Sequence, residues 1–303
     1  MKTSIKNILA VAGLLTATAV SASPMYIQLP NNSYGQYLPA LIDSDSKTGT
    51  FTEFGYSQMI ATTVYDLSDG DVKGSFFDTN VPSELIAAGV PLGGISGTSM
   101  AGGNTVNLTN PNCGPNSNAN CDIDALSPLA PPLVGTDSEG FLLSWDLQVL
   151  YHFDGYLSDA GIVYTGGWFE LWFNDFYDNS NDRAVIRGEV TGSDLQAANL
   201  NIFFDITYAE AGFLWVQDAS GNFVDASTQK TSLILDTNVN PPIPTPNQLL
   251  VVMDDQGNLS AIRQSTLDGS ITARIEVPEP STIALLGLGL FGLAAIARRR
   301  NSA

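Results

Sequence analysis

The run Trp145-Asp146-Leu147-Gln148-Val149-Leu150-Tyr151-His152-Phe153 places Trp145, Leu147, Val149, Tyr151 and Phe153 on one side of an extended backbone and Asp146, Gln148 and His152 on the other. Apolar residues recurring at period two are the mark of a half-buried β-strand. The pattern extends downstream. Residues 163–176 form a second aromatic strand region, in which Gly166-Gly167 marks a bulge. Ala184, Ile186 and Val190 then alternate with Val185, Arg187 and Glu189, and 202–208 is again rich in strand formers. In the last third, two strand pairs flank Asp218-Ala219-Ser220-Gly221-Asn222 and Asp254-Asp255-Gln256-Gly257-Asn258, both hairpin signatures. The Pro-rich segment 241–246 links them, and 271–277 reads as a final strand.

Upstream, 51–67 and 72–77 read as two strands turned at Asp69-Gly70, followed by a short helix over 83–88 with Ser83 as its cap and Gly89 at its end. Residues 93–103 read as a Gly/Ser loop and 104–136 as an Asn/Pro-rich connector, with a weak internal boundary near 128–136. With no long helical period anywhere in this region, the expected fold is all-β: an antiparallel, jelly-roll-like β-sandwich over 23–276.

Both ends differ from this body. Residues 1–22 combine Lys2 and Lys6, an apolar run over 8–20 and small Val20 and Ala22 before Ser23, the pattern of a secretory signal peptide. Residues 277–303 read Val277-Pro278-Glu279-Pro280-Ser281-Thr282, then fifteen apolar or glycine residues over 283–297, then Arg298-Arg299-Arg300. As a helix the apolar run reaches roughly 22 Å, a short span against a hydrocarbon core of about 30 Å. The arginines favour a cytoplasmic C-terminus. Pro278 and Pro280 hold the chain before the helix extended and open to a processing enzyme.

This three-part tail resembles the PEP-CTERM sorting signal of Gram-negative exosortase substrates. The resemblance implies export, recognition by an exosortase near Pro278-Glu279-Pro280 and transient residence in the inner membrane through 283–297. It further implies loss of the tail and release to the cell surface or an exopolysaccharide matrix. Some PEP-CTERM proteins are implicated in floc or biofilm formation, and a non-enzymatic role of that kind is the expectation for this chain.

Charge supports an extracellular setting. Five of the 12 basic residues (Lys2, Lys6, Arg298, Arg299, Arg300) lie in the two end segments, so 23–280 sets seven against all 31 acids, a net charge of −24. Such a surface argues against nucleic acid and anionic membranes as partners. The only cysteines, Cys113 and Cys121, stand in an Asn/Pro/Gly loop, and an oxidising compartment predicts a local disulfide between them.

Several motifs invite chemistry. Gly287-Leu288-Gly289-Leu290-Phe291-Gly292 fits a dinucleotide fingerprint, but it follows no strand and precedes no acidic residue, so its glycines read as helix-packing positions. Gly97-Thr98-Ser99-Met100-Ala101 resembles the nucleophile segment of subtilisin-like serine proteases. The single histidine, His152, follows Ser99 rather than preceding it, and the companion Asp and His segments are missing. Asp43 to Gly49 opens like a calcium loop but has Lys47 and Phe54 at ligand positions, and so reads as a polar turn.

Two constellations remain. Trp168, Glu170 and Trp172 share one face of a strand, where two indoles flanking a carboxyl can stack a sugar ring. With Glu189 as a second carboxylate, Glu170 can be drawn as a glycosidase pair, which makes a secreted carbohydrate-active enzyme the competing reading. The acidic loop carrying Asp175, Asp178 and Asp182 is a candidate calcium site, since hard oxygen ligands at this density suit that ion. No other cofactor is expected.

Overall fold

The structure, a computed structural model, describes residues 22–29, 46–90, 95–99, 105–108, 127–128 and 137–275, except 142, 198, 239–242 and 255. The signal-peptide region 1–21, Cys113 and Cys121, the boundary at 129–136 and the whole tail from 276 lie outside the described residues. Among the described residues no helix is long and apolar enough to cross a membrane.

In chain order the elements are β1 (Met25–Ile27), β2 (Phe54–Asp66), β3 (Gly74–Thr79), helix α1 (Pro82–Ala87), β4 (Ile95–Ser99), β5 (Thr105–Leu108), β6 (Ser127–Pro128), β7 (Trp145–Ser158), β8 (Gly161–Asp175), β9 (Arg183–Gln196), β10 (Asn199–Ala209), β11 (Leu214–Gln217), β12 (Phe223–Asp225), β13 (Thr231–Asn238), β14 (Leu250–Met253) and β15 (Leu259–Ile275). The all-β, antiparallel expectation holds. The connectivity is not that of a jelly roll. Strands β2, β3, β7, β8, β9, β10, β13 and β15 pair in that order, each antiparallel to the next, and β15 returns to β2.

The ring closes because β15 is long enough to serve two neighbours at once. Residues 260–271 pair with β2 on one edge, while 269–275 pair with β13 on the other, with Leu233 opposite Ala273. An up-and-down barrel and a sandwich both need alternating strands, and that shared requirement is why alternation alone did not separate them.

Inward residues form one continuous apolar core, in which Phe153, Phe169 and Phe204 meet with ring centroids 5.1–5.4 Å apart. One end is capped. The small sheet of β1, β11 and β12 sets Met25, Ile27, Leu214 and Val216 into the core beside Trp145 and Phe173. Trp145 is fully buried, donates Nε1–H to the Glu139 carbonyl at 2.8 Å and stacks on Phe173. On the outside, α1 and β14 cover β2, β3 and β15, burying Val64, Leu85, Val90, Leu250 and Ile262 in a second cluster.

Local devices follow the sequence closely. The bulge expected at Gly166-Gly167 falls just before the pair: Gly166 faces Asp154 and Tyr164 faces Gly155, which leaves Thr165 as the extra residue. In each Asp-x-x-Gly-Asn turn the first aspartate accepts from backbone N–H groups two and four residues on, and Gly221 and Gly257 both take φ of +85°. Two details differ from expectation. The helix is capped by backbone at Val81 with Pro82 opening it, not by Ser83, because proline suits a first turn whose N–H needs no partner. Part of the expected 93–103 loop is strand β4, which pairs with β5 inside the expected connector. Beyond the end of β3, Asn80 acts as a surrogate peptide group, its side chain bonding Val149 O and Tyr151 N at 2.7 and 2.8 Å.

The glycine beside the bulge, paired with Phe153, gives a direct test. Gly167 sits at φ +113°, and a Cβ there would run into the His152 carbonyl. Gly167→Ala should cost about 3 kcal/mol or more in urea unfolding. Gly221→Ala, whose added methyl meets nothing closer than the Gln217 side chain at 3.9 Å, should cost about 1 kcal/mol from left-handed strain alone.

Candidate functional site

Phe169 and Leu171 point into the barrel, so Trp168, Glu170 and Trp172 point outward from β8, as the strand period requires. All three are partly exposed. Trp172 donates Nε1–H to Glu170 Oε2 at 3.1 Å, and Arg187 on β9 pairs with Glu170 Oε1 at 2.8 Å. Arg187 in turn lies over the Tyr208 ring, 5.5 Å from its centroid. The stripe is therefore a fixed polar–aromatic surface, with its central carboxylate held from two sides.

Glu189 stands directly opposite Trp168 on β9, one diagonal step from Glu170. The two glutamates share the outer face of adjacent strands rather than the walls of an enclosed cleft. His152 faces Trp168 across β7 and β8, on the polar face as its sequence phase predicts.

Its partner was not legible in the sequence. His152 Nδ1 lies 2.7 Å from Glu84 of α1, Nε2 lies 3.1 Å from Asp154, and the ring stacks on Phe77 at 5.3 Å. Partial burial opposes the charged imidazolium, but the hydrogen bonds to Glu84 and Asp154 and their negative charges outweigh it, and the histidine pKa is raised above 6.5.

The three aspartates of the candidate calcium loop are engaged by the chain itself. Asp175 is buried and accepts from the backbone of Tyr177 and Asp178 and from the Asn181 amide. Asp182 accepts from the Asp175 N–H, and Asp178 from Ser180. Among the described residues no group of three or more His, Cys, Asp or Glu side chains converges as a metal site. The Asn and Asp residues act here as turn formers, Oδ1 of each aspartate answering a nearby backbone donor.

A second polar group sits inside the barrel. Asp78, Tyr65, Tyr164 and Arg263 line a central cavity, and Asp78 and Arg263 are only 5% and 3% exposed. Tyr164 donates its hydroxyl to Asp78 Oδ2. Burial pushes the Asp78 carboxyl up to about 6, against the opposing pull of Thr63, Tyr164, Arg263 and His152. Burial, joined by the Asp78 charge, pushes Tyr65 up to about 12, and the same two causes raise Tyr164 well above its ordinary value. The sequence carried a signal for this group: Asp78 follows Phe76, and Arg263 follows Ala261, at i+2, so both charges occupy the inward phase of their strands.

Residues 276–300 match the family model of the PEP-CTERM protein-sorting motif. The chain carries a PEP-CTERM sorting motif. The match covers the Pro278-Glu279-Pro280 segment, the apolar run and Arg298-Arg299-Arg300, all outside the described residues. No curated protein and no solved structure matches the chain. The PEP-CTERM motif marks the protein for export and for sorting to the cell surface, with an exosortase as its processing partner.

Two outcomes are expected. Replacing Pro278, Glu279 and Pro280 with alanine should leave the tail attached and the chain in the inner membrane, while the native form loses the tail's mass; intact mass and fractionation check this. The second concerns pH. Asp78 has a folded pKa raised from 3.8 to about 6, so the stability its neutral form contributes is present below 3.8 and lost as pH rises to about 6. Relative to Asp78→Asn, the native protein should lose about 3 kcal/mol across that window, at about 1.4 kcal/mol per unit. His152, also raised, contributes stability present below 6.5 and lost as pH climbs through its folded value, and His152→Gln should remove that second decline. Urea unfolding across the pH range reads both.

Proposed function

We propose that the exported barrel is a non-enzymatic surface protein that associates with exopolysaccharide, within a matrix of the floc or biofilm kind. The observation that carries this reading is the outward stripe of Trp168, Glu170 and Trp172. Indole faces stack on the C–H faces of sugar rings, and a carboxylate between them accepts hydroxyl hydrogen bonds. Because Trp172 and Arg187 hold Glu170, the stripe is pre-organised and loses little side-chain entropy on binding. A repeating polymer can engage many copies of one shallow stripe, so modest affinity per site suffices for retention in a matrix.

The sorting motif supports this reading by bringing the protein to the surface where such polymers lie. The acidic body supports it too, since divalent cations bridge acidic proteins to acidic polysaccharides, and calcium enters here as a shared counter-ion rather than through Asp175, Asp178 and Asp182. We read Glu170 and Glu189 as recognition groups, not as a glycosidase pair, because an open outer face lets water and polymer leave freely on both sides.

Binding of the protein to exopolysaccharide isolated from its producing cells tests the proposal. Saturable binding should weaken at least about tenfold in Trp168→Ala/Trp172→Ala, with the far-ultraviolet spectrum unchanged. Absence of saturable binding, or equal binding by the double variant, overturns it. Release of reducing ends from the polymer, abolished by Glu170→Gln, would establish the enzymatic reading instead.

A further inference from the structure

The barrel lumen is a separate feature from the outer stripe, formed by the opposite faces of the same strands. It encloses a cavity of about 70 Å³, lined by side chains from seven of the eight ring strands. A cavity of this size holds a cluster of about five waters or one small organic molecule. Its walls are mainly apolar, with Phe153, Phe169, Leu200, Ile202 and Leu233 among them. A purely apolar ligand would be enough for such walls alone.

The polar wall asks for more. Among the described residues, two of its buried oxygens, Asp78 Oδ1 and the Tyr65 hydroxyl, have no hydrogen-bond partner in good geometry, although Arg263 and Thr63 stand near the Tyr65 hydroxyl. A buried polar atom left in this state costs roughly 1–3 kcal/mol, so an occupant that answers both atoms recovers that cost on binding. The two side chains are neighbours: Thr63 pairs with Asp78 and Tyr65 with Phe76 across β2 and β3, which puts Tyr65 and Asp78 on one diagonal of the inner face. One atom is an acceptor and the other carries a donor.

Charge narrows the choice further. Arg263 pairs with Thr63, which in turn pairs with Asp78, so a buried cation and a buried carboxyl lie along one line of the wall. Their charges offset, and an ionic ligand would bring an uncompensated charge into a low-dielectric lumen. A single hydroxyl fits without that penalty. Its hydrogen goes to Asp78 Oδ1 and its lone pair takes the Tyr65 hydrogen, while Tyr164 continues to hold Oδ2.

We propose that the lumen is a binding site for a small, mainly apolar molecule bearing one hydroxyl group, a short-chain alcohol: about 70 Å³ is under half of what a benzene ring occupies. The site depends neither on the sorting motif nor on sugar recognition by the outer stripe.

The test uses 3-fluoropropan-1-ol as probe and 1-fluorobutane as its hydroxyl-free counterpart of equal size, followed by fluorine NMR on the full chain in lipid nanodiscs. Empty nanodiscs correct for partition into lipid. The native protein should bind 3-fluoropropan-1-ol saturably at one site, and 1-fluorobutane at least about tenfold more weakly. Tyr65→Phe removes the hydroxyl and keeps the ring; it should weaken 3-fluoropropan-1-ol about fivefold or more and leave 1-fluorobutane unchanged. Ala61→Leu, which pushes a larger side chain into the cavity, should weaken both probes. The proposal is overturned by absence of saturable binding, which would mean that the lumen holds water only. It is equally overturned if both probes bind the native protein alike, or if Tyr65→Phe does not distinguish them. None of these outcomes bears on polysaccharide binding by Trp168 and Trp172.

Discussion

The pairing of β13 with β15 is the constraint on which the rest depends. Without it the eight ring strands would form an open sheet with two exposed edges and an apolar face of aromatic residues lacking a cover. With it, each inward side chain finds its cover from the opposite wall, as Phe153 and Phe169 both do on Phe204. Closure also fixes the interior volume. Eight strands leave a lumen that side chains nearly fill, so whatever space remains is small and shaped by individual residues.

That narrow interior gives the buried polar group its character. Asp78 is buried away from bulk solvent, and among the described residues the partners that face it (Tyr164, Thr63, Arg263) leave one of its oxygens unanswered. A carboxyl with a pKa near 6 in an otherwise apolar barrel is an expensive element for packing alone. The outer face is organised on opposite lines. There Glu170 has two partners and His152 has two carboxylates, in contact with solvent, where such pairs cost little and hold geometry. One strand, β8, serves both environments: its odd residues 169 and 171 build the lumen and its even residues 168, 170 and 172 build the stripe.

How much of this the sequence disclosed follows from the range of each interaction. Alternation in Trp145 to Phe153 is local, so strand β7 and its burial pattern were legible, as were a bulge beside Gly166-Gly167 and both Asp-x-x-Gly-Asn turns. The shared face of Trp168, Glu170 and Trp172 needed only the strand period. Ring closure needed the register of residues 32 or more positions apart, as for Leu233 and Ala273, and no local pattern encodes it. Glu84 reaches His152 across 68 positions, through a helix that packs outside the barrel, so it was equally hidden. Asp78 and Arg263 were an intermediate case. Their inward phase was visible, but the expectation of a sandwich offered no lumen for them to line.

The two ends of the barrel body meet at one place. The Ser23 N–H donates to the Ala273 carbonyl at 3.2 Å, so the residue that follows the expected signal-peptide boundary lies beside the last turns of β15. β15 ends at Ile275 and the sorting motif begins at residue 276. Only Glu276 and Val277 separate Ile275 from Pro278 in the sequence, so the sorting motif follows directly on the capped end, where β1, β11 and β12 close the barrel. The loops between β2 and β3 and between β7 and β8 lie at the opposite end, and the Trp168 stripe runs along the side wall between the two.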